Sequence, residues 1–337
     1  MEKKYISHNS LKNLLTKLRE DGKQIVAPVA QGDKTDFKRI NSVDEISMEH
    51  IQTTVSAKGI AFPRAERLFS YTKQEDDIIV EDYDHNSIPE TVLFGIHPCD
   101  AIGFTPLSAI FNWDTKDILF NERIQKTTLV SISCTKCDEY CFCTSVNGGP
   151  GNTEGSDILL TPVKEENGYL AEIITDKGKT LIQKYDTLFE AAPNINKEKQ
   201  LAQVPVRFNL DDLHKKIPRM FDSNVWKKQS ERCLGCGACA YVCPTCACFD
   251  IQENDKGKSG DRLRCWDSCG FSLFTLHTSG HNPRQVQSQR WRQRLLHKFA
   301  YMPERLSVRG CIGCGRCSRA CPVDMNISEH LTELSKM

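Results

Sequence analysis

The sequence has 337 residues, and its 44 lysines and arginines equal its 44 aspartates and glutamates, so the formal net charge is zero. This balance argues against a protein dedicated to nucleic acid or to an acidic membrane surface, and the length allows two or three compact units. The composition is unusual in one respect, because the 17 cysteines are crowded into a few short windows.

The first segment has the pattern of a capped amphipathic helix rather than that of a targeting signal. Leucines at positions 11, 14, 15 and 18 recur at helical spacing, whereas a signal peptide has a continuous apolar core. No apolar run in the sequence is long enough to span a bilayer, so we expect a cytoplasmic protein without membrane insertion. In a reducing compartment, crowded cysteines are typical of metal sites rather than of disulfides.

Two short apolar runs predict buried strands at residues 91–96 and 127–132, with a helix at 101–111 between them. A strand–helix–strand order predicts that the two strands are parallel neighbours. We therefore expect an α/β N-terminal domain with a small parallel or mixed sheet. Further strands are expected at residues 24–29, 77–81, 158–163 and 169–175, the last two joined by a turn at Asn167-Gly168.

The composition changes along the chain. Residues 192–230 are polar and lack a strand pattern, as expected for a linker with a helix or two, and from Cys233 onward cysteine, glycine and arginine prevail. We therefore divide the chain into an α/β domain at residues 1–205 and a C-terminal α-helical, ferredoxin-like domain at residues 206–337. The C-terminal domain contains an inserted segment at residues 245–308.

Two C-terminal segments repeat the spacing C-x₂-C-x₂-C-x₃-C-P, the bacterial ferredoxin pattern. Three thiolates on one tight loop reach three irons of a cubane, and the fourth cysteine binds the cluster of the other run. A pair of zinc ribbons, the competing interpretation, does not account for two complete runs that each end in proline. The pattern predicts two 4Fe–4S clusters, one held by Cys233, Cys236, Cys239 and Cys321, the other by Cys311, Cys314, Cys317 and Cys243.

A second cysteine group follows the two buried strands. Cys134, Cys137, Cys141 and Cys143 lie just after the second strand, and Cys99 lies just after the first. Because the carboxyl ends of neighbouring parallel strands meet at one edge, where α/β sheets bind ligands, five thiols converge on a site that needs four. We predict a third 4Fe–4S cluster here, held either by the contiguous loop or by the same loop with Cys99 in place of Cys137. The alternatives are a zinc site and a group of reduced structural thiols.

These motifs resemble the β subunit of cytosolic NiFe sulfhydrogenases and the corresponding iron–sulfur protein of anaerobic sulfite reductases, over roughly residues 90–325. In that family the N-terminal ligands follow a C-x₆-C-x-C pattern together with the cysteine of a "P/A-C-D" turn. The resemblance therefore favours Cys99, Cys134, Cys141 and Cys143, while Cys137 departs from the pattern. It is carried by His97-Pro-Cys99-Asp100, Cys134, Cys141-Phe-Cys143-Thr-Ser145, Cys243-Pro-Thr-Cys246-Ala-Cys248-Phe-Asp250, Trp266-Asp-Ser-Cys269, Gly280-His-Asn-Pro-Arg284 and His297-Lys-Phe299.

The resemblance implies a subunit of a cytosolic multi-subunit oxidoreductase of anaerobic metabolism. Its expected partners are a flavoprotein that handles NAD(P)H and a terminal module, either a hydrogenase, a sulfite or sulfur reductase, or a module of the heterodisulfide-reductase type. The chain itself offers no nucleotide turn, because the glycine-rich stretch at residues 235–240 follows no strand and contains predicted cluster ligands. We therefore expect a non-catalytic relay. The alternatives are an enzyme subunit with its own substrate site at the N-terminal cluster, and a zinc-binding nucleic-acid or scaffold protein.

Two features remain outside these sites. Cys246, Cys248, Cys265 and Cys269 could chelate a further metal, but we favour buried thiols that pack around the clusters. The second feature is a basic stretch at residues 284–309, which interleaves cations with Trp291, Leu295 and Phe299 at helical spacing. We expect it to balance cluster charge or to form a partner docking face, and not to bind nucleic acid.

Overall fold

The structure of the chain is a computed structural model and describes residues 2–337. The strands are β1 (Glu2–Ser7), β2 (Gln24–Gln31), β3 (Lys34–Arg39), β4 (Ala65–Lys73), β5 (Ile78–Asp82), β6 (Thr91–Ile96), β7 (Thr127–Ile132), β8 (Ile158–Val163), β9 (Gly168–Ile173), β10 (Glu190–Ala191), β11 (Phe249–Asp255) and β12 (Ser259–Trp266).

The helices follow in chain order, and one turn of π-helix at His297–Tyr301 joins the eighth to the ninth. They are α1 (His8–Glu20), α2 (Pro98–Phe111), α3 (Ile118–Gln125), α4 (Asp176–Lys184), α5 (Leu210–Arg219), α6 (Val225–Ser230), α7 (Ala238–Tyr241), α8 (Gln287–Leu296), α9 (Met302–Leu306), α10 (Arg316–Arg319) and α11 (Ile327–Lys336).

A mixed eight-stranded sheet in the order β10-β1-β9-β8-β7-β6-β2-β3 forms the N-terminal region. The strands β2, β6, β7 and β8 pair in parallel at its centre, and antiparallel strands flank them on both sides. The parallel pairing of β6 with β7 confirms the prediction from the strand–helix–strand order. The expectation of a small sheet was wrong, because β1, β3 and β10 extend it.

The central strand β6 is buried on both faces, which explains its uninterrupted apolar sequence. Val92 and Phe94 face the leucines of α1, while Leu93 contacts the opposite layer, formed by α2 and α3. Gly95 has φ +75° at a break in the pairing register with β7. This irregularity turns Ile96 to the same side as Leu93.

A second, antiparallel sheet has the order β11-β12-β4-β5, so a hairpin from residues 249–266 pairs with a hairpin from residues 65–82. The expectation of a purely helical C-terminal region was therefore wrong at this point. Arg264 of β12 is buried, and its Nε donates a hydrogen bond to Glu66 of β4 at 2.8 Å. Asp117 and Arg123 complete this buried ion network.

The remaining C-terminal helices enclose an apolar core of their own. Leu213 of α5, Trp226 of α6, Leu295 of α8 and Leu331 of α11 are buried in it, together with Phe142 from the N-terminal cysteine loop. Within residues 2–337, no helix combines the length and the apolar character that crossing a membrane requires.

Candidate iron–sulfur centres

The two ferredoxin-type runs adopt the same backbone conformation. Gly235 and Gly237 have φ of 68° and 76°, and their counterparts Gly313 and Gly315 have φ of 68° and 72°. Glycine occupies this left-handed region without the penalty that a Cβ imposes. A short helix, α7 or α10, begins directly after the second glycine of each run. The repeat in the sequence is therefore also a repeat in the structure.

The first cavity lies inside the run that begins at Cys233. Gln287 donates from Nε2 to the Sγ of Cys233 at 3.0 Å, and the backbone N–H of Met325 donates to the Sγ of Cys321 at 3.2 Å. Hydrogen bonds of this kind stabilise a thiolate ligand. Among the residues that line the cavity are Cys233, Cys236, Cys239, Cys269, Cys317 and Cys321, which include all four predicted ligands of one cluster.

The second group is more deeply buried than the first. Burial is the main factor that raises the pKa of Cys311 to about 12 and that of Cys314 to about 11, and the neighbouring charges of Cys317 and Cys243 raise both pKa values further. The four predicted ligands of the other cluster thus lie close enough to influence one another. Iron ligation requires thiolates, so the metal must compensate the cost of deprotonating them.

The third cavity lies at the carboxyl ends of β6 and β7, where the sequence predicted a site. The competing candidates make opposite hydrogen bonds. Cys99 accepts from Nε2 of Gln52 at 3.1 Å, whereas Cys137 donates from its Sγ to the carbonyl oxygen of Gln203 at 3.3 Å. An accepting sulfur is typical of a thiolate, and a donating one is typical of a free thiol. The cysteines that line the cavity are Cys99, Cys134, Cys137, Cys141, Cys143 and Cys314.

The N-terminal cysteine loop is in direct contact with the second ferredoxin-type run. The N–H of Phe142 donates to the carbonyl oxygen of Gly313 at 2.9 Å, and a Cβ built at Gly313 would lie 2.6 Å from the Cα of Cys143. Cys314 lines the third cavity, and Cys317 lines the first. The three cysteine groups therefore form a continuous row, with the Cys311 run in the middle.

Three cations are buried around the C-terminal groups. Lys58, Arg294 and Lys298 are only 3–4 % exposed, and within residues 2–337 none of them has a carboxylate partner. The equally buried Arg316, in contrast, pairs with Asp100 at 2.6 Å. A buried cation without a counter-charge is costly. The region therefore fits a bound group with net negative charge, as a cubane with four thiolates has.

The cations contact the cysteine segments directly. Arg294 donates from Nη2 to the carbonyl oxygen of Cys239 at 2.8 Å, and Lys58 donates from Nζ to that of Cys246 at 2.9 Å. Burial by itself lowers the pKa of Lys298, but the charges of Cys243 and Cys246 outweigh it, so the pKa is raised. At Lys58 burial outweighs the same thiolates, and the pKa is lowered.

The basic stretch at residues 284–309 faces largely inward. Arg294 and Lys298 are buried beside the cysteines, and Arg292 stacks on Phe221 with its guanidinium carbon 3.7 Å from the ring centroid. Of the two uses that the sequence left open, the balancing of cluster charge fits these contacts, because these cations are not available to a partner. The alternation with Trp291, Leu295 and Phe299 was the signal that could have placed them.

The leftover cysteines are not equivalent. Cys246 lies in an apolar group with Ala240 and Cys243, and a hydrogen bond from Cys248 lowers the pKa of Cys269 to about 6. Cys265 lies on β12, opposite Asp250. In the described part of the chain, no three His, Cys, Asp or Glu side chains are arranged to hold a single metal ion.

Comparison with known proteins identifies the family. Residues 232–325 match the family model described as a 4Fe-4S dicluster domain. The chain is also 30 % identical to sulfhydrogenase 2 subunit beta of Pyrococcus furiosus over 329 residues, which cover 95 % of this chain and 94 % of the relative. The chain belongs to the sulfhydrogenase β-subunit family. No solved structure matches it.

Membership in the sulfhydrogenase β-subunit family confirms the resemblance inferred from the cysteine motifs. The dicluster match spans both ferredoxin-type runs and so supports two 4Fe–4S clusters in this member. Sequence reasoning missed Lys58, Gln52 and Gln287, which contact the cysteine segments from distant elements. The sequence carries no signal for them, because each is an isolated polar residue outside the cysteine motifs.

Proposed function

We propose that the chain is the iron–sulfur electron-transfer subunit of a cytosolic, hydrogenase-type oxidoreductase complex. It relays electrons between a flavoprotein that handles NAD(P)H and a terminal module, a hydrogenase or a sulfite or sulfur reductase. The observation that carries the proposal is the continuous row of three cysteine groups, in which Cys314 and Cys317 of the central run line the cavities on either side. Contiguous sites of this kind suit conduction rather than substrate turnover.

We assign the ligands of the row as follows. Gln52 donates to Cys99, and Arg319 donates from Nη2 to Cys141 at 3.3 Å, so both sulfurs are stabilised as thiolates. Cys137 donates instead and is left out. The proposed sets are Cys99, Cys134, Cys141 and Cys143 for a third 4Fe–4S cluster, Cys243, Cys311, Cys314 and Cys317 for the middle one, and Cys233, Cys236, Cys239 and Cys321 for the outer one.

The division of the chain follows the same proposal. Residues 1–205 form the α/β domain with the third cluster, and residues 206–337 form the dicluster domain with its insertion at residues 245–308. The short helices α7 and α10, which each follow a cysteine loop, form the ferredoxin-like core of the dicluster domain.

A bound cubane supplies one-electron chemistry, whereas a nicotinamide transfers a hydride, so the conversion needs a flavin in another protein of the complex. We expect the anaerobically purified chain to contain about twelve irons with matching acid-labile sulfide. Dithionite should reduce it, but it should not oxidise NADH or NADPH until the flavoprotein is added.

Each departure from these results has its own meaning. About eight irons per chain would remove the N-terminal cluster from the proposal. Stoichiometric zinc without sulfide would favour a zinc scaffold and reject the electron-transfer function. Bound flavin together with steady NAD(P)H oxidation by the chain alone would make it an enzyme instead of a relay.

A further inference from the structure

Lys298 is held in one position by the backbone and side chains around it. Its Nζ donates to the Oγ1 of Thr245 at 2.7 Å, to the carbonyl oxygen of Gly310 at 2.8 Å and to the Sγ of Cys243 at 3.4 Å. It lies in the π-helical turn between α8 and α9, and such turns occur frequently at functional sites. A Cβ at Gly310 would collide with the backbone carbonyl of Lys298, so only glycine allows this approach.

The two C-terminal groups differ in the charge that reaches their ligands. In the outer group the side chain that donates to a ligand sulfur is the neutral amide of Gln287, and Cys236 is exposed to solvent. In the middle group it is the ammonium of Lys298, and Cys243 and Cys314 are buried. Arg294 lies between the groups and lines the outer cavity. Its charge therefore does not distinguish them as sharply as that of Lys298 does.

These differences act in opposite directions on reduction. Adding one electron, without a proton, makes a cubane one charge more negative, so burial disfavours reduction of the middle group. A cation in contact with a ligand sulfur favours it, and Coulombic interactions are strongest where water is excluded. Because the ammonium touches the ligand itself, we take its contribution to be the larger one.

We propose that Lys298 raises the reduction potential of the cluster held by Cys243, Cys311, Cys314 and Cys317 above that of the cluster held by Cys233, Cys236, Cys239 and Cys321. The middle position of the row then retains the electron in transit, and the outer cluster passes its electron inward. This inference rests on the proposed electron-transfer function and specifies the direction in which the chain conducts.

The test is a dithionite titration of the full anaerobic chain, monitored by EPR. The Cys236→Ala variant, which removes the exposed ligand, assigns the signal of the outer cluster. In the wild type the middle cluster should be reduced first. Lys298→Met should lower its equilibrium constant for reduction by about tenfold or more, or about 59 mV for one electron, and leave the outer cluster unchanged. The exposed Lys215 provides the matched control, since Lys215→Met should shift neither signal.

A second variant keeps the test decisive if Lys298→Met loses iron. Thr245→Val removes the hydroxyl that positions the ammonium but keeps the charge, so it should shift the middle cluster in the same direction by a smaller factor. Unchanged potentials in iron-replete variants would overturn the inference and leave the relay function intact. A wild-type chain without iron–sulfur EPR signals would instead reject the relay function itself.

Discussion

The buried ion network between the two hairpins of the smaller sheet allows a quantitative test of what fixes the insertion in place. Glu66 of β4 is the carboxylate that Arg123 and Arg264 share, and both the carboxylate and Arg264 are buried. Glu66→Ala leaves Arg264 with Asp117 alone. Removing one partner of a buried pair costs about 3–5 kcal/mol.

Hydrogen exchange followed by mass spectrometry measures this cost directly on β12. Since each 1.4 kcal/mol is tenfold, the amides of residues 259–266 should exchange on the order of 10²–10³-fold faster in Glu66→Ala.

A control lies on the same strand, where Lys73 pairs with Asp255 at 2.8 Å with both side chains largely exposed. Lys73→Ala should cost at most about 1 kcal/mol, or roughly fivefold in exchange. Equal exchange rates in the two variants would refute the reasoning, because burial would then confer no additional stability on the pair.

Two further predictions concern the N-terminal site. Cys99→Ala should lose about four irons per chain while Cys137→Ala retains them, and the opposite pattern in an iron assay would show that the contiguous loop binds alone. Gly313→Ala should lower the melting temperature and the iron content, because left-handed backbone costs an alanine about 1–2 kcal/mol and the added Cβ meets the backbone of Cys143. Gly149→Ala, which meets nothing within 4 Å, should leave both unchanged; an identical response in the two glycine variants would contradict the close contact between the loops.

The sequence could predict the elements whose signal is local. The strands β6 and β7 read as apolar runs because both faces are buried, and their parallel pairing follows from the helix between them. The turn at Asn167 was readable because Asn-Gly tolerates positive φ, and Asn167 has φ 49°. The cysteine spacings indicated the C-terminal runs directly.

The rest depends on tertiary contacts that no local pattern encodes. All of β11 is exposed, so its sequence lacks the alternation of a half-buried strand. Similarly, the Lys3 and Lys4 pair obscures β1, which is stabilised by pairing with β9 and β10 rather than by its own propensity. The contact of Lys298 with Cys243 requires knowing that residues 55 positions apart meet.

The smaller sheet has a consequence for how the chain assembles. Its β11–β12 hairpin lies between the two cysteine runs in sequence, yet it pairs with β4, nearly two hundred positions earlier. Pairing over such a separation is slow, because loop-closure entropy is lost before the contacts form. Until it is complete, β4 and β5 form an isolated two-stranded ribbon with an open edge. Synthesis therefore exposes this edge until the insertion has emerged, so the N-terminal half matures only together with the segment that separates the two cysteine runs.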